Sequence, residues 1–294
     1  MQMELSPKEM DVELKYVKKI SKKGRKSLWI SRIAIWVMLF VVLFPIISIV
    51  GASLSQGSSF TQTTLLPKSY TLDNYTKLLT ETNFAKWLFN SMIVSVASGL
   101  IQLALVIPAA FAFSKLRFAF RSKGLMALLI LQMFPTSMAL PAILRVAYNY
   151  NLMDNIPVII ILMCTGMAYN IWLMKGYMDG VPTDLIEAAY VDGATTAQAF
   201  FKIVLPLIKN MAIVIFLFAF INAYSEFMMS SALLKDSAVQ TIAVGMRNFI
   251  NDKFSSNWTV YSAGAVLASL PVVVLFLSFQ KFIAKGLTAG AVKG

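Results

Sequence analysis

The stretch "LIEAAYVDGATTAQAFFKIVLPL", Leu185–Leu207, is one long segment of a very apolar chain that does not read as a membrane span. Its punctuation places two short helices around a tight turn. Asp184, after Val181-Pro182-Thr183, stands where a side chain caps a helix starting at Leu185, and Glu187 follows three positions on, the spacing of a capping box. Gly193 ends that helix, because glycine enters the left-handed conformation without the steric cost of a Cβ. Thr195 and Gln198 repeat the box spacing for a second helix, which is expected to stop at Leu205-Pro206. Ala188, Ala189 and Gly193 keep the elbow thin, so that another surface can approach its backbone closely.

Outside this stretch the composition belongs to a membrane. The 294 residues are 58% hydrophobic and 14% charged, with a mean hydropathy of +0.70, beyond the usage of a soluble globular domain. Runs of about 20 apolar residues are long enough to cross hydrocarbon as helices. Six occur, near Trp29–Ser53, Trp87–Phe113, Gly124–Leu144, Ile156–Met174, Met211–Leu234 and Val260–Ile283. Prolines at 45, 108, 135, 141 and 271 interrupt them, which spanning helices tolerate where neighbours take up the freed carbonyls. The first run is too long for the apolar core of a secretory signal and no clear small-residue cleavage site follows, so it reads as a retained span. The expected architecture is an all-α integral membrane protein: a basic tail over residues 1–28, a six-span domain over 29–284 carrying the loop at about 180–207, and a short tail over 285–294.

The distribution of Lys and Arg sets the expected orientation. Of the 26, nineteen fall on one side: Lys8, Lys15, Lys18, Lys19, Lys22, Lys23, Arg25, Lys26 and Arg32 at the start, Lys115, Arg117, Arg121 and Lys123 between the second and third runs, Lys175, Lys202 and Lys209 around the quoted loop, and Lys281, Lys285 and Lys293 at the end. That side is expected to be cytoplasmic, with both termini on it. The net charge of +12 then needs no nucleic-acid partner, since topology and the anionic lipid of the inner leaflet account for it.

Other residue counts narrow the chemistry. There is no histidine and one cysteine, Cys164. Imidazole acid–base catalysis, zinc sites of the HExxH kind, an internal disulfide and a thiolate metal cage are all removed. No GxxxxGK[ST] loop occurs, so an ATP motor, if used, is another chain. On local chemistry alone the quoted loop has two readings: an element that packs on its own bundle, or a knob offered to a partner.

The full spacing favours the second. Glu187-Ala188-Ala189, three residues, Gly193, nine residues, Ile203, one residue, Leu205-Pro206 resembles the EAA signature of ABC importer permeases without a missing position. The segment from Phe216, "FLFAFINAYSEFMMSSALLKDSAVQTIAVGMRNFINDKF", and the terminal "GLTAGAVKG" resemble maltose-type sugar permeases of the MalG-like branch. The resemblance implies a bacterial cytoplasmic-membrane subunit of an importer for maltose or maltodextrin, or for another substrate such as a plant oligosaccharide, a polyol or glycerol phosphate. It also implies a non-catalytic chain that binds no cofactor, with ATP and Mg held by a dimer of ABC ATPases. A second, MalF-like permease and an extracytoplasmic sugar-binding protein complete the implied assembly. The ATPase contacts it implies are Glu187, Ala188, Ala189, Asp192, Gly193, Ile203, Leu205 and Pro206, with a tail contact at Gly286, Leu287, Thr288, Ala289 and Gly290.

Glu226 is the acid inside an apolar run, roughly 24 Å above the start of the fifth span. A carboxylate at such depth costs about 2.5–3.5 kcal/mol on insertion scales and is expected to face protein or water. It reads either as a pathway residue, with Asn222, Tyr224 and Ser225, or as the partner of a neighbouring helix. Sugar-ring and hydroxyl contacts would draw on Tyr148, Tyr150, Tyr169, Asn170 and Trp172 in addition. A secondary transporter is the rival class, and it would show internal repeats and more intramembrane charge.

Overall fold

The computed structural model describes residues 22–57, 67, 69–250 and 257–289. Most of the basic tail, Gly290 and Lys293 lie outside these residues. Among the described residues the architecture is helical throughout, apart from a single bridge between Ser55 and Tyr70.

The first span is α1 (Lys22–Ser53). A short helix, α2 (Asp73–Thr80), leads into the second span, α3 (Phe84–Lys115). The third span is a bent pair, α4 (Arg121–Gln132) and α5 (Leu140–Asn149), joined through a 3-10 turn at Thr136–Ala139 with a change of direction of 70°. The fourth is α6 (Ile156–Met163) and α7 (Ala168–Asp179), bent by 48°. Two short helices follow, α8 (Asp184–Val191) and α9 (Thr196–Leu207). The fifth span is α10 (Lys209–Tyr224) continued by α11 (Met228–Leu233). After α12 (Ile242–Arg247), α13 (Trp258–Ala289) forms the sixth, and Gly286, Leu287, Thr288 and Ala289 continue it. The six apolar runs are thus present, but the third, fourth and fifth are broken.

Helix α3 is the centre of the bundle because one of its faces is made small and polar. Asn90, Ser91, Ser95, Ser98, Gly99 and Gln102 are buried on it, together with Val94, Val106 and Ala110. With no hydrophobic force between helices in lipid, close backbone approach and interhelical hydrogen bonds hold such a seam together. At Gly99 the approach is tightest against α10: a Cβ there would lie 2.8 Å from the Phe216 ring. Near the other end of α3, Trp87 lies over Gly245 of α12, where a Cβ would meet the indole at 2.1 Å.

The periphery is the inverse of this seam. Along α1 no residue of the apolar stretch is buried, and Trp36 and Phe40 are each 69% exposed. In water such a surface would aggregate; hydrocarbon or another apolar helix is its matching solvent.

Candidate functional site

The structure offers two features built for different tasks, a compact helix pair at one end of the bundle and a cleft among the broken spans.

The helix pair turns at Gly193, whose φ is +83°. The Gly193 N–H donates to Tyr190 O at 3.0 Å and the Ala194 N–H to Ala189 O at 2.8 Å, the two bonds of a Schellman ending. Two residues on, Thr195 Oγ1 accepts from Gln198 N at 3.2 Å while Gln198 Oε1 accepts from Thr195 N at 2.8 Å. This is the expected capping box at the start of α9. The box at α8 does not form. Thr183 already has helical φ and ψ and its carbonyl accepts from Glu187 N, so Asp184 and Glu187 both lie in the first turn without a capping bond. There their charges favour the positive helix end electrostatically instead. Nor does α9 stop at Leu205-Pro206: a π-turn over Phe200–Val204 precedes the proline, and the helix passes through it to Leu207 before breaking at Ile208.

One face of the pair is anchored and the other is bare. Ile186, Ala189, Ala199, Phe200, Val204 and Ile208 are buried in a common core with Val106, Phe111, Met174 and Met178. Phe111 and Phe200 meet ring to ring at 5.0 Å. Polar struts fix the entry: Lys115 Nζ donates to Val181 O at 2.6 Å, and Ser114 Oγ to Asp179 Oδ1 at 2.7 Å. Asp179 also pairs with Lys175 at 2.6 Å, and Arg121 donates to the end carbonyls of Phe113 and Ser114. On the opposite face Glu187, Ala188, Asp192 and Gly193 are exposed. Val191 is 88% exposed, and nothing approaches the position of a Cβ at Gly193 within 4 Å. Of the remaining signature residues, Ile203 and Leu205 are half-buried and Pro206 is exposed.

The cleft has a volume of about 640 Å³ and is lined from all three broken spans. Its polar groups come from Gln132, Thr136, Thr165, Asn222 and Glu226, and its apolar walls include Phe134, Ile143, Leu162, Met163, Met228 and Met229. Each break leaves backbone groups without helical partners, and side chains take them up. Gln102 Nε2 donates to Met163 O at 2.9 Å and is itself held by Asn170 Nδ2 at 3.0 Å. Gln132 bonds Gly166 O at 2.9 Å and Tyr169 N at 3.0 Å. In the fifth span the Glu226 carboxylate accepts from Met229 N at 2.6 Å, Ser230 N at 2.9 Å and Ser230 Oγ at 2.6 Å, so it starts α11.

Four path residues were expected from the sequence, and the structure brings two of them together. Asn222, in the last turn of α10, and Glu226, in the break that follows it, both line the cleft. Tyr224 points elsewhere: it is buried, stacked on Phe220 at 5.7 Å, and its hydroxyl donates to Ala268 O at 2.7 Å. Ser225 turns its hydroxyl back to Ile221 O at 2.7 Å. Among the candidate sugar contacts, Tyr148 and Tyr150 are 77% and 72% exposed at the end of α5, and Asn170 is spent on Gln102. Gln132, Thr136 and Thr165 had no assigned role, and an amide or hydroxyl within an apolar run was the signal available for them. Among the described residues no group of three or more His, Cys, Asp or Glu is placed to hold a metal ion.

Six apolar spans, a capped helix pair with a bare face and a cleft where three spans break define a membrane permease. The chain belongs to the family described as binding-protein-dependent transport system inner membrane component, which matches residues 24–289. It is 37% identical to the galactooligosaccharides transport system permease protein GanQ of Bacillus subtilis, over 87% of this chain and 92% of that one. It is 36% identical to the maltodextrin transport system permease protein MdxG of the same organism, over 86% and 92%. To the maltose/maltodextrin transport system permease protein MalG of Escherichia coli it is 34% identical, over 93% and 98%. A solved bacterial ABC transporter involved in the import of the acidic polysaccharide alginate superposes with a TM-score of 0.77 at 25% identity, covering 90% of this chain and 99% of that one. The protein is therefore a membrane permease of the binding-protein-dependent transport class.

Proposed function

We propose that this chain forms half of the translocation path of an ATP-driven importer for neutral oligosaccharides, maltodextrins first among them. It pairs with a second, homologous permease in the bacterial cytoplasmic membrane, with both termini on the cytoplasmic side. A dimer of ABC ATPases holds ATP and Mg and grips the α8–α9 pair, while an extracytoplasmic binding protein delivers the sugar. The observation that carries this reading is the asymmetry of the α8–α9 pair: firmly anchored on the face toward α3 and α7, bare over Glu187, Val191 and Gly193. A stiff element with an open small-residue face suits the transfer of rigid-body motion. The cleft supplies the path, with amides, hydroxyls and one carboxylate for sugar hydroxyls and apolar walls for ring faces.

The 37% identity to a galactooligosaccharide permease favours a second substrate, the galactooligosaccharides. Reconstituted complexes assayed with labelled maltotriose and labelled galactotriose separate the two: the true substrate is taken up with ATP and stimulates its hydrolysis, and uptake of neither rejects the oligosaccharide reading. Orientation is checked in intact cells. An impermeant thiol reagent is expected to label Asp236→Cys and to spare Asp192→Cys until the membrane is opened, and labelling of both from outside overturns the topology.

A further inference from the structure

Two of the three breaks around the cleft are joined by one side chain. Gln132 is the last residue of α4, immediately before the 70° bend. Its Nε2 donates to Gly166 O and its Oε1 accepts from Tyr169 N, on either side of the start of α7 at the 48° bend. Tyr169 N is one of the amides that the first turn of a helix leaves without a partner. Both halves of the amide are therefore committed to backbone groups of the next span. The neighbouring clamp differs in one respect: Gln102 is 3% exposed and held by Asn170, whereas Gln132 is open to the cleft. A buried, fully connected network is costly to open. An exposed amide exchanges partners readily with any solute that both donates and accepts hydrogen bonds.

Resting on the sugar-permease reading, we propose that Gln132 is a positioning residue for transport, a latch that ties the third and fourth spans into one wall of the cleft and is released when sugar hydroxyls compete for its amide. The release gives the sugar a differential effect on two arrangements of the spans, which any ligand-driven shift requires.

The test uses the reconstituted transporter and reads hydrogen exchange at Tyr169 together with ATP hydrolysis. In Gln132→Ala, exchange at Tyr169 is expected to rise at least tenfold. Ile171, whose N–H is bonded to Met167 O, should stay unchanged. ATP hydrolysis without sugar should rise severalfold and its stimulation by sugar should largely disappear. Gln132→Glu keeps the acceptor for Tyr169 N and loses the donor to Gly166 O, so Tyr169 stays protected while coupling falls to an intermediate value. In the wild type, a transported sugar should itself speed exchange at Tyr169. Wild-type exchange in Gln132→Ala, or fast exchange with unaltered coupling, overturns the latch. If Gln132→Ala fails to assemble, the wild-type exchange decides: acceleration by sugar supports the latch and its absence refutes it. The comparison of Tyr169 in wild type and Gln132→Ala is made without sugar, so it fails or succeeds independently of the substrate assignment, which the uptake assay judges.

Discussion

Between α8 and α9 the backbone groups released by the turn find partners within a few residues: Gly193 and Ala194 donate into the end of α8, and Thr195 and Gln198 cap the start of α9. At the 164–167 break the partners come from other spans, Gln102 from 61 positions away in sequence and Gln132 from 37. The difference is mechanical. A turn that satisfies itself keeps its shape when its surroundings move, which is what a transmitting element needs. A break satisfied by neighbouring spans changes energy whenever those spans shift, which is what a path that must open and close needs.

The largest effect expected from this contrast is at Gly193. A Cβ there meets nothing within 4 Å beyond its chain neighbours, so the local cost of Gly193→Asp is that of the left-handed backbone, about 1 kcal/mol or more. It nevertheless projects into the space assigned to the ATPase. Uptake is expected to fall by more than tenfold, with ATPase lost from purified complexes or its hydrolysis uncoupled; wild-type coupling would show that the pair transmits nothing.

Glu187→Ala comes next and sharpens the same point. Its carboxylate makes no capping bond, so the substitution removes at most the first-turn charge effect, about 0.3–1 kcal/mol. Severalfold loss of uptake with unchanged thermal stability is expected if Glu187 meets the ATPase, and unchanged uptake removes it from the interface.

The cleft should respond in the opposite sense, through its own structure. Glu226→Ala deletes three charge-assisted bonds at the start of α11, each of a kind worth about 1.5–3 kcal/mol. Lower thermal stability and reduced uptake are expected together, with ATPase still bound. Loss of uptake at full stability would make Glu226 a substrate contact and not a cap.

The smallest effect is Thr195→Ala. Removing a cap costs about 1 kcal/mol locally, and with α9 anchored through Phe200 and Val204 uptake should change less than twofold in transport assays.

What could be read from the sequence follows the same division. The six runs, the left-handed glycine and the Thr195–Gln198 box depend on composition and on spacings of three or four residues, and they appear as expected. Asp184 misled because Thr183 had already entered helical geometry. The fourth-span break carries no proline, only Cys164-Thr165-Gly166-Met167, and its support arrives from distant amides, so no local pattern marks it. Asn222 and Glu226 reach the cleft while Tyr224 does not: helical phase turns Tyr224 about 200° from Asn222 on α10, and Glu226 lies in the break that follows, distinctions that grouping neighbours in sequence erases.

Helical phase also governs the π-turn at Phe200–Val204. A π-turn accommodates one residue more than the α-helix around it, and each residue of an α-helix advances the azimuth by about 100°. Were the same residues to run as regular α-helix without the wider turn, the Gly193 elbow would swing around the helix axis by roughly that angle relative to the fifth span. Every residue of the signature would remain, and the knob would face the wrong direction.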